Sequence, residues 1–430
     1  MEYREAMDYL ENLTKFGFNF GLGRIEELLR RLGNPHTKIK AIHIGGTNGK
    51  GSTTAMLAAI LKESDLRVGM FTSPHLHSYT ERYRINGEQI SQERIAEMIS
   101  RLRPHLEDMV REGFEHPTEF EAGTAMAFLY FAEEKVDLLL LEVGLGGAID
   151  STNVITPVVS VLTNIAMDHM DYLGNTIKEI TTVKTGIIKP GVPVVTSARN
   201  TEALEIIEVD CLEKSSTLTV VGRQVNLKQK EFSTEGQRFS VFTPNHNYED
   251  LTLPLLGRHQ LTNAAGAVAV IEVLQQLGYS IPEEAVRKGL AKTNWPARLE
   301  IMRQNPTVLV DAAHNLDGVQ SLKQALLDYF PGKKVILVLG MLGDKERSKV
   351  VAELTPLADS VVITKPNSPR AGDWELLAYE ARKFADKVVL IESITEAVDA
   401  AMAMAGEKDL VCITGSFYMV AEAREHVGGR

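Results

Sequence analysis

The sequence predicts two open α/β domains, the first built on a parallel sheet with a small β-rich flank and the second doubly wound. Three observations carry this. From residue 39 to about residue 290, short apolar runs bounded by polar turns alternate with helical patterns, as buried parallel strands and their crossovers do. The rhythm breaks at Lys292-Thr293-Asn294-Trp295-Pro296-Ala297, a segment that reads as a linker. A second strand–helix series then begins. Length agrees, since 430 residues are more than one hydrophobic core usually supports. The division falls at residues 1–293, with 294–298 as hinge and 299–430 as the second domain.

In chain order, Ile39–Ile44 is a buried strand and Lys50–Ser64 a helix. Val68–Thr72 and Asp137–Val143 are further buried strands. Ser91 caps a helix running to Val110, with Ile95, Met98, Ile99, Leu102 and Leu106 at helical spacing, which marks an amphipathic face. Pro157–Thr163 and Pro193–Ser197 add two strands, and Thr217–Val221 with Gln237–Thr243 form the β-rich flank. Helices follow at Leu261–Leu277 and Pro282–Leu290. The second series has strands at Thr307–Asp311, Lys334–Gly340, Ser360–Thr364, Val388–Ile391 and Asp409–Thr414. In such Rossmann-like sheets, ligands bind beyond the carboxyl ends of the strands.

Composition excludes some functions. Lys and Arg total 46 against 57 Asp and Glu, a net charge of −11, so neither nucleic acid nor an anionic membrane is an expected partner. The longest apolar stretches, such as Leu138–Leu141 and Val335–Leu339, fall far short of the roughly 20 residues of a membrane helix. The N-terminus shows no secretory pattern. Cys211 and Cys412 have no partners at metal-ligand spacing and read as core residues. A cytoplasmic monomer acting on small molecules is the expectation.

The chemistry concentrates first at Gly45-Gly46-Thr47-Asn48-Gly49-Lys50-Gly51-Ser52, between a strand and a helix. Glycines let backbone N–H groups turn onto an anion, the helix N-terminus adds positive potential, and Lys50 supplies a full charge. This is a P-loop-type nucleotide site, although Gly51 separates Lys50 from Ser52 where the strict pattern has them adjacent. Glu142 ends an apolar strand, where a carboxylate has no packing purpose, and suits Mg²⁺, which takes oxygen ligands and bridges phosphates. Ser73 follows a strand that reaches the same sheet edge.

GTNGKGS resembles the ATP loop of the Mur ligase superfamily, specifically the folylpolyglutamate synthase/dihydrofolate synthase family. The resemblance continues through Thr72–Leu76, Glu81-Arg82, Leu141–Gly147, Thr163–His169, Gly257–Ala264, Trp295–Glu300 and Asp311–Asn315, all in the family's order. It implies that Gly49, Lys50, Gly51, Ser52, Asn263, Arg298, Asp311 and His314 bind ATP. Ser73 and Glu142 would hold one Mg²⁺ and His169 a second, with Asp168 and Asp171 nearby. Lys184 would react with CO₂ to become a carbamate, although Val183 stands where the family commonly has Glu. Thr118, Glu119, Phe120, Ile149, Asp150 and Ser151 would line the folate pocket. Glu119 replaces a frequent aromatic there, and Ala148 a frequent Arg. Arg370 and Ser416, with the loop Gly343-Asp344-Lys345-Glu346, would lie near the incoming glutamate.

The implied reaction has Lys50, Arg298 and Mg²⁺ carry the charge on the phosphoryl group passing from ATP to a folate or dihydropteroate carboxylate. The amine of L-glutamate then attacks the acyl phosphate, with Lys184 and His169 completing the catalytic set. Closure of the two domains on ATP would assemble the site. Two rivals are a Mur-type ligase for a non-folate acid and a P-loop regulatory ATPase without ligation chemistry. A cell-wall ligase usually carries a further N-terminal domain, and only about 38 residues precede the first strand here.

Overall fold

The computed structural model describes residues 1–14, 21–343 and 345–429. They form two compact units, one of residues 1–228, 240–251 and 262–293, the other of residues 229–239, 252–261 and 294–430.

The first unit is organised by an eight-stranded sheet. From edge to edge it runs Glu88–Gln89, Tyr83–Ile85, Val68–Phe71, Leu138–Glu142, Ala41–Gly45, Val159–Leu162, Val194–Thr196 and Leu218–Val220. The last six pair in parallel, and the first two add an antiparallel hairpin. Leu218–Val220 was expected in the β-rich flank, but it pairs with Val194–Thr196 as the outermost parallel strand. The flank is a separate three-stranded sheet of Asn226–Ser233, Gly236–Phe242 and Asn247–Leu253. Ala41–Gly45 lies between Leu138–Glu142 and Val159–Leu162, so the strand order switches direction beside it. Such a switch point opens a crevice beyond the strand ends.

Helix Gln92–Arg111 starts on Ser91, whose hydroxyl accepts from Arg94 N–H, and buries its apolar face. Helix Glu119–Glu133 is different: every residue from Glu121 to Phe131 is buried, so it shows no amphipathic period. Tyr3–Leu13 and Gly23–Arg31 pack into the same core through Leu10, Leu13, Ile25 and Leu28.

In the second unit a six-stranded sheet runs Glu300–Arg303, Thr307–Asp311, Leu410–Thr414, Val335–Leu339, Ser360–Ile363 and Val388–Leu390. All neighbours are parallel except the first pair, which is antiparallel with an irregularity between Ile301 and Arg303. Residues 229–239 and 252–261 were expected in the first domain but group with this unit. The Gln237 side chain donates to Leu255 O and Gly257 O, and Gly257 N–H donates to the Tyr329 hydroxyl. No described helix is long and apolar enough to cross a membrane.

Candidate active site

The loop after Ala41–Gly45 is shaped by its glycines and pinned by the segment after Val159–Leu162. Gly46 has φ +132°, and a Cβ there would lie 1.9 Å from Thr163 Oγ1. Thr47 N–H donates to Asn164 O at 2.8 Å, Asn48 N–H to Asn164 Oδ1 at 2.6 Å, and the Thr163 hydroxyl to Asn48 O at 2.8 Å. The Thr47 hydroxyl exchanges hydrogen bonds with Ala166 O and N–H. Gly46→Ala combines a disallowed φ with this clash, so it should destabilise the first unit by more than about 1 kcal/mol, read as a lower unfolding midpoint.

Gly49 has φ +87°, and its missing Cβ leaves room for Asn263 Oδ1, which a side chain would meet at 2.5 Å. Asn263 therefore sits on the loop. Sequence reasoning placed it at a helix start, whereas the helix begins at Arg258 and Asn263 lies inside it. Gly51 and Ser52 are buried in the first turn of helix Lys50–Lys62.

Two lysines converge on one carbonyl. Lys50 Nζ donates to Gly46 O at 3.2 Å and Thr47 O at 3.1 Å, and Lys184 Nζ donates to Gly46 O at 3.0 Å. Lys184 ends helix Ile177–Lys184 and is 4% exposed. Burial, with the Lys50 charge beside it, lowers its pKa to about 7, while Asp168 and Asp150 pull the other way. Burial and the Lys50 charge both favour the neutral amine over the ammonium relative to an exposed lysine.

Glu142 is buried at the carboxyl end of its strand, opposite Ile44, and its Oε2 accepts from Ser73 N–H at 3.2 Å. The structure thus brings Ser73 and Glu142 together at the strand edge that carries the glycine loop. His169 follows the pinning segment, with φ +50° and Nε2 3.8 Å from Asp168 Oδ2. Asp171 lies in the short helix Met170–Leu173 that follows. Among the described residues no three His, Cys, Asp or Glu side chains cluster as a metal cage. The donors present still fit Mg²⁺, which is usually held by one or two carboxylates together with water and substrate phosphates.

The expected folate residues divide. Phe120 packs against Gly144, where a Cβ would meet its ring at 2.4 Å, and against Phe71 at 6.2 Å between ring centres. Ile149 is half-buried and Ser151 buried. Thr118 is a helix cap, its hydroxyl accepting from Glu121 N–H. Asp150 turns into its own loop: Oδ2 accepts from Leu145 N–H, and Oδ1 from Thr152 N–H and hydroxyl. Burial pushes its pKa up. Glu119, the carboxylate in place of a frequent aromatic, is paired: its Oε1 accepts from Arg82 at 3.0 Å and from the Tyr79 hydroxyl at 2.7 Å. Ala148 is exposed, and its N–H donates to Val183 O at 2.8 Å.

In the second unit, Arg298 stacks on Phe417 at 5.2 Å and donates to Ala297 O. Asp311 uses Oδ2 for Leu299 N–H and Oδ1 for Ala313 N–H. His314 Nδ1 pairs with Ala312 O at 3.0 Å. Sequence reasoning passed over His259, which burial and Arg298 move to a lower pKa while Asp311 and Asp317 oppose the shift. The signal was Gly257, two residues earlier, whose φ of +97° and missing side chain admit the His259 ring. Ser416 is buried as the cap of helix Phe417–Gly428. Arg370 is exposed, and its carbonyl accepts from Gly343 N–H at 2.7 Å. Asp344 lies outside the described residues. Also missed was Arg347, which donates to the carbonyls of Met341, Leu342, Ala371 and Asp373 and so ties two strand-end loops together.

Comparison with known proteins places both halves of the chain in one ligase superfamily. Residues 44–271 match the Mur ligase middle domain and residues 297–417 the Mur ligase glutamate ligase domain. The chain is 38% identical over 427 residues to the dihydrofolate synthase/folylpolyglutamate synthase of Bacillus subtilis, covering 99% of both. It is 35% identical to the folylpolyglutamate synthase of Lacticaseibacillus casei, covering 100% of this chain and 99% of that one. Among solved structures, Mycobacterium tuberculosis folylpolyglutamate synthase complexed with ADP has a TM-score of 0.93 at 34% identity, with 99% of each chain covered. E. coli FolC in complex with DHPP and ADP has a TM-score of 0.89 at 31% identity, covering 100% of this chain and 98% of that one. The chain belongs to the folylpolyglutamate synthase/dihydrofolate synthase family of Mur ligases.

Proposed function

We propose that this chain ligates L-glutamate to a folate or dihydropteroate carboxylate with ATP, through an acyl phosphate. The observation that carries it is the convergence of Lys50 and Lys184 on Gly46 O, within a glycine loop shaped to receive phosphate. The relatives named for this activity match the chain from end to end.

In this reading the loop N–H groups and Lys50 bind the β- and γ-phosphates, and Lys50 and Arg298 stabilise charge as the γ-phosphoryl group moves to the substrate carboxylate. Mg²⁺, when bound through Ser73 and Glu142 with a second ion through His169, neutralises phosphate charge. Lys184, once its ammonium has given up one proton, attacks CO₂ as the neutral amine. An N–C bond forms as a C–O π bond breaks and a second proton leaves, so over the two losses a carbamate anion replaces a buried cation. Asn263 and His314 orient the nucleotide. Phe120 offers a face to the pterin ring, and Asp150 acts from behind by holding the Gly144–Asp150 loop in shape. Arg370 lies near the incoming glutamate, with Ser416 framing its loop.

The test is whether ADP release requires both a pteroate-type acid and an amino acid. Release with ATP alone would favour a regulatory ATPase, and release with another carboxylate a different Mur-type ligase. A second prediction concerns the exposed Ala148. Ala148→Arg adds a cation where the anionic tail of a folate would lie, so it should lower the folate KM severalfold and leave the ATP KM unchanged. Steady-state titration of each substrate checks this.

A further inference from the structure

Arg298 sits in a strained turn. Ala297 has φ +59° and Leu299 φ +46°, both buried non-glycine residues in the left-handed region. Such a conformation persists only where the surroundings over-determine it, and here they can be named. Ala297 N–H donates to Glu300 Oε2 at 2.8 Å, Leu299 N–H to Asp311 Oδ2 at 2.8 Å, and Ala312 N–H to Ala297 O at 3.1 Å. Glu300 is itself gripped by Arg424, through Nε at 2.8 Å and Nη2 at 2.9 Å. This two-pronged fork fixes the carboxylate in both distance and plane.

Arg424 and Phe417 lie seven residues apart on helix Phe417–Gly428, which places them two turns apart on one helix face. That single face therefore holds the turn twice. Phe417 lies under the Arg298 guanidinium at 5.2 Å, within cation–π range. Arg424 holds Glu300, which in turn holds Ala297. The Ser416 cap fixes the start of the helix at the point where Phe417 departs.

We infer that Phe417 and Arg424, the latter through Glu300, are positioning residues that hold Arg298 in its working orientation; this rests on the role given to Arg298 under the proposed function. The helix preorganises the guanidinium before nucleotide arrives, so no ordering cost falls on the transferring phosphoryl group. Neither side chain touches substrate in this account, and both act only through Arg298.

The experiment is a set of mutant cycles on the full-length enzyme. Arg424→Met, Arg424→Lys and Phe417→Leu are each made in the wild-type and Arg298→Ala backgrounds. Rates are normalised to the folded fraction from thermal unfolding. Arg424→Met and Phe417→Leu should each lower kcat/KM for ATP by about threefold to tenfold and leave the KM for glutamate unchanged. Arg424→Lys should fall between wild type and Arg424→Met. In the Arg298→Ala background the same substitutions should change kcat/KM for ATP by less than about twofold, because interacting residues are not additive. Full additivity there would overturn the inference while leaving Arg298 in the mechanism. Wild-type kinetics for Arg298→Ala would overturn both. If Arg424→Met does not fold, Phe417→Leu alone decides, and wild-type ATP kinetics in that variant refutes the inference.

Discussion

Lys50→Ala should lower the rate of ADP formation by about 10²–10³-fold, the usual cost of losing one preorganised electrostatic stabiliser. Its unfolding midpoint should scarcely move. The separation follows from how the loop is built. Thr163, Asn164 and Ala166 hold Thr47 and Asn48 without any help from Lys50. The two bonds from Lys50 Nζ end on carbonyls of its own loop, and Gly46 O keeps Lys184 as a donor. The net loss in stability should stay within about 1 kcal/mol. Coupled ADP assays and thermal melts on one preparation check both halves. Turnover within tenfold of wild type would remove the loop lysine from the mechanism.

Lys184→Met should produce the opposite pairing: activity lost and stability gained. An ammonium forced to a pKa of about 7 by burial makes the folded chain hold fewer protons than the unfolded chain, whose lysine titrates near about 10.4. The stability contribution of Lys184 therefore rises with pH between those two values, and the full penalty is present below about pH 7. Removing the amine should stabilise the unmodified protein by on the order of a few kcal/mol at pH 6, with the gain fading towards pH 10. Turnover should fall at every pH, because in the proposed mechanism this amine takes up CO₂. Stripping CO₂ and bicarbonate from the wild-type enzyme should lower its rate, and resupply should restore it. A Lys184→Met enzyme that keeps its turnover and loses stability throughout would reduce Lys184 to a structural residue.

Much of the fold was legible because its strands are short apolar runs between polar turns. Thr307–Asp311 appears with the bounds the sequence suggested, and Ser91 caps its helix as expected. Helix Glu119–Glu133 was hidden because burial on all sides erases the 3.6-residue period. Leu218–Val220 was misassigned because a three-residue edge strand carries too little pattern to reveal which sheet it joins. At the site, the glycine loop announced itself through residue types. What the sequence could not show was direction. Asp150 points into its own loop, Glu119 is neutralised by Arg82, and Asn263 reaches Gly49 from inside a helix. The last two depend on partners far away in the chain, and the first on the way its own loop folds back. The lowered pKa of Lys184 likewise comes from burial and from Lys50, neither of which shows in the residues around it.

In the proposed reaction the γ-phosphoryl group of ATP is transferred to a substrate carboxylate before glutamate attacks. Oxygen-isotope tracing tests it most directly. The enzyme is given ATP, L-glutamate and either dihydropteroate or tetrahydrofolate labelled with ¹⁸O in the reacting carboxylate. The inorganic phosphate and the product are then read by mass spectrometry. An acyl phosphate predicts that one labelled oxygen passes into phosphate and that the product is heavier by one glutamate residue. Unlabelled phosphate released without an amide product would contradict it.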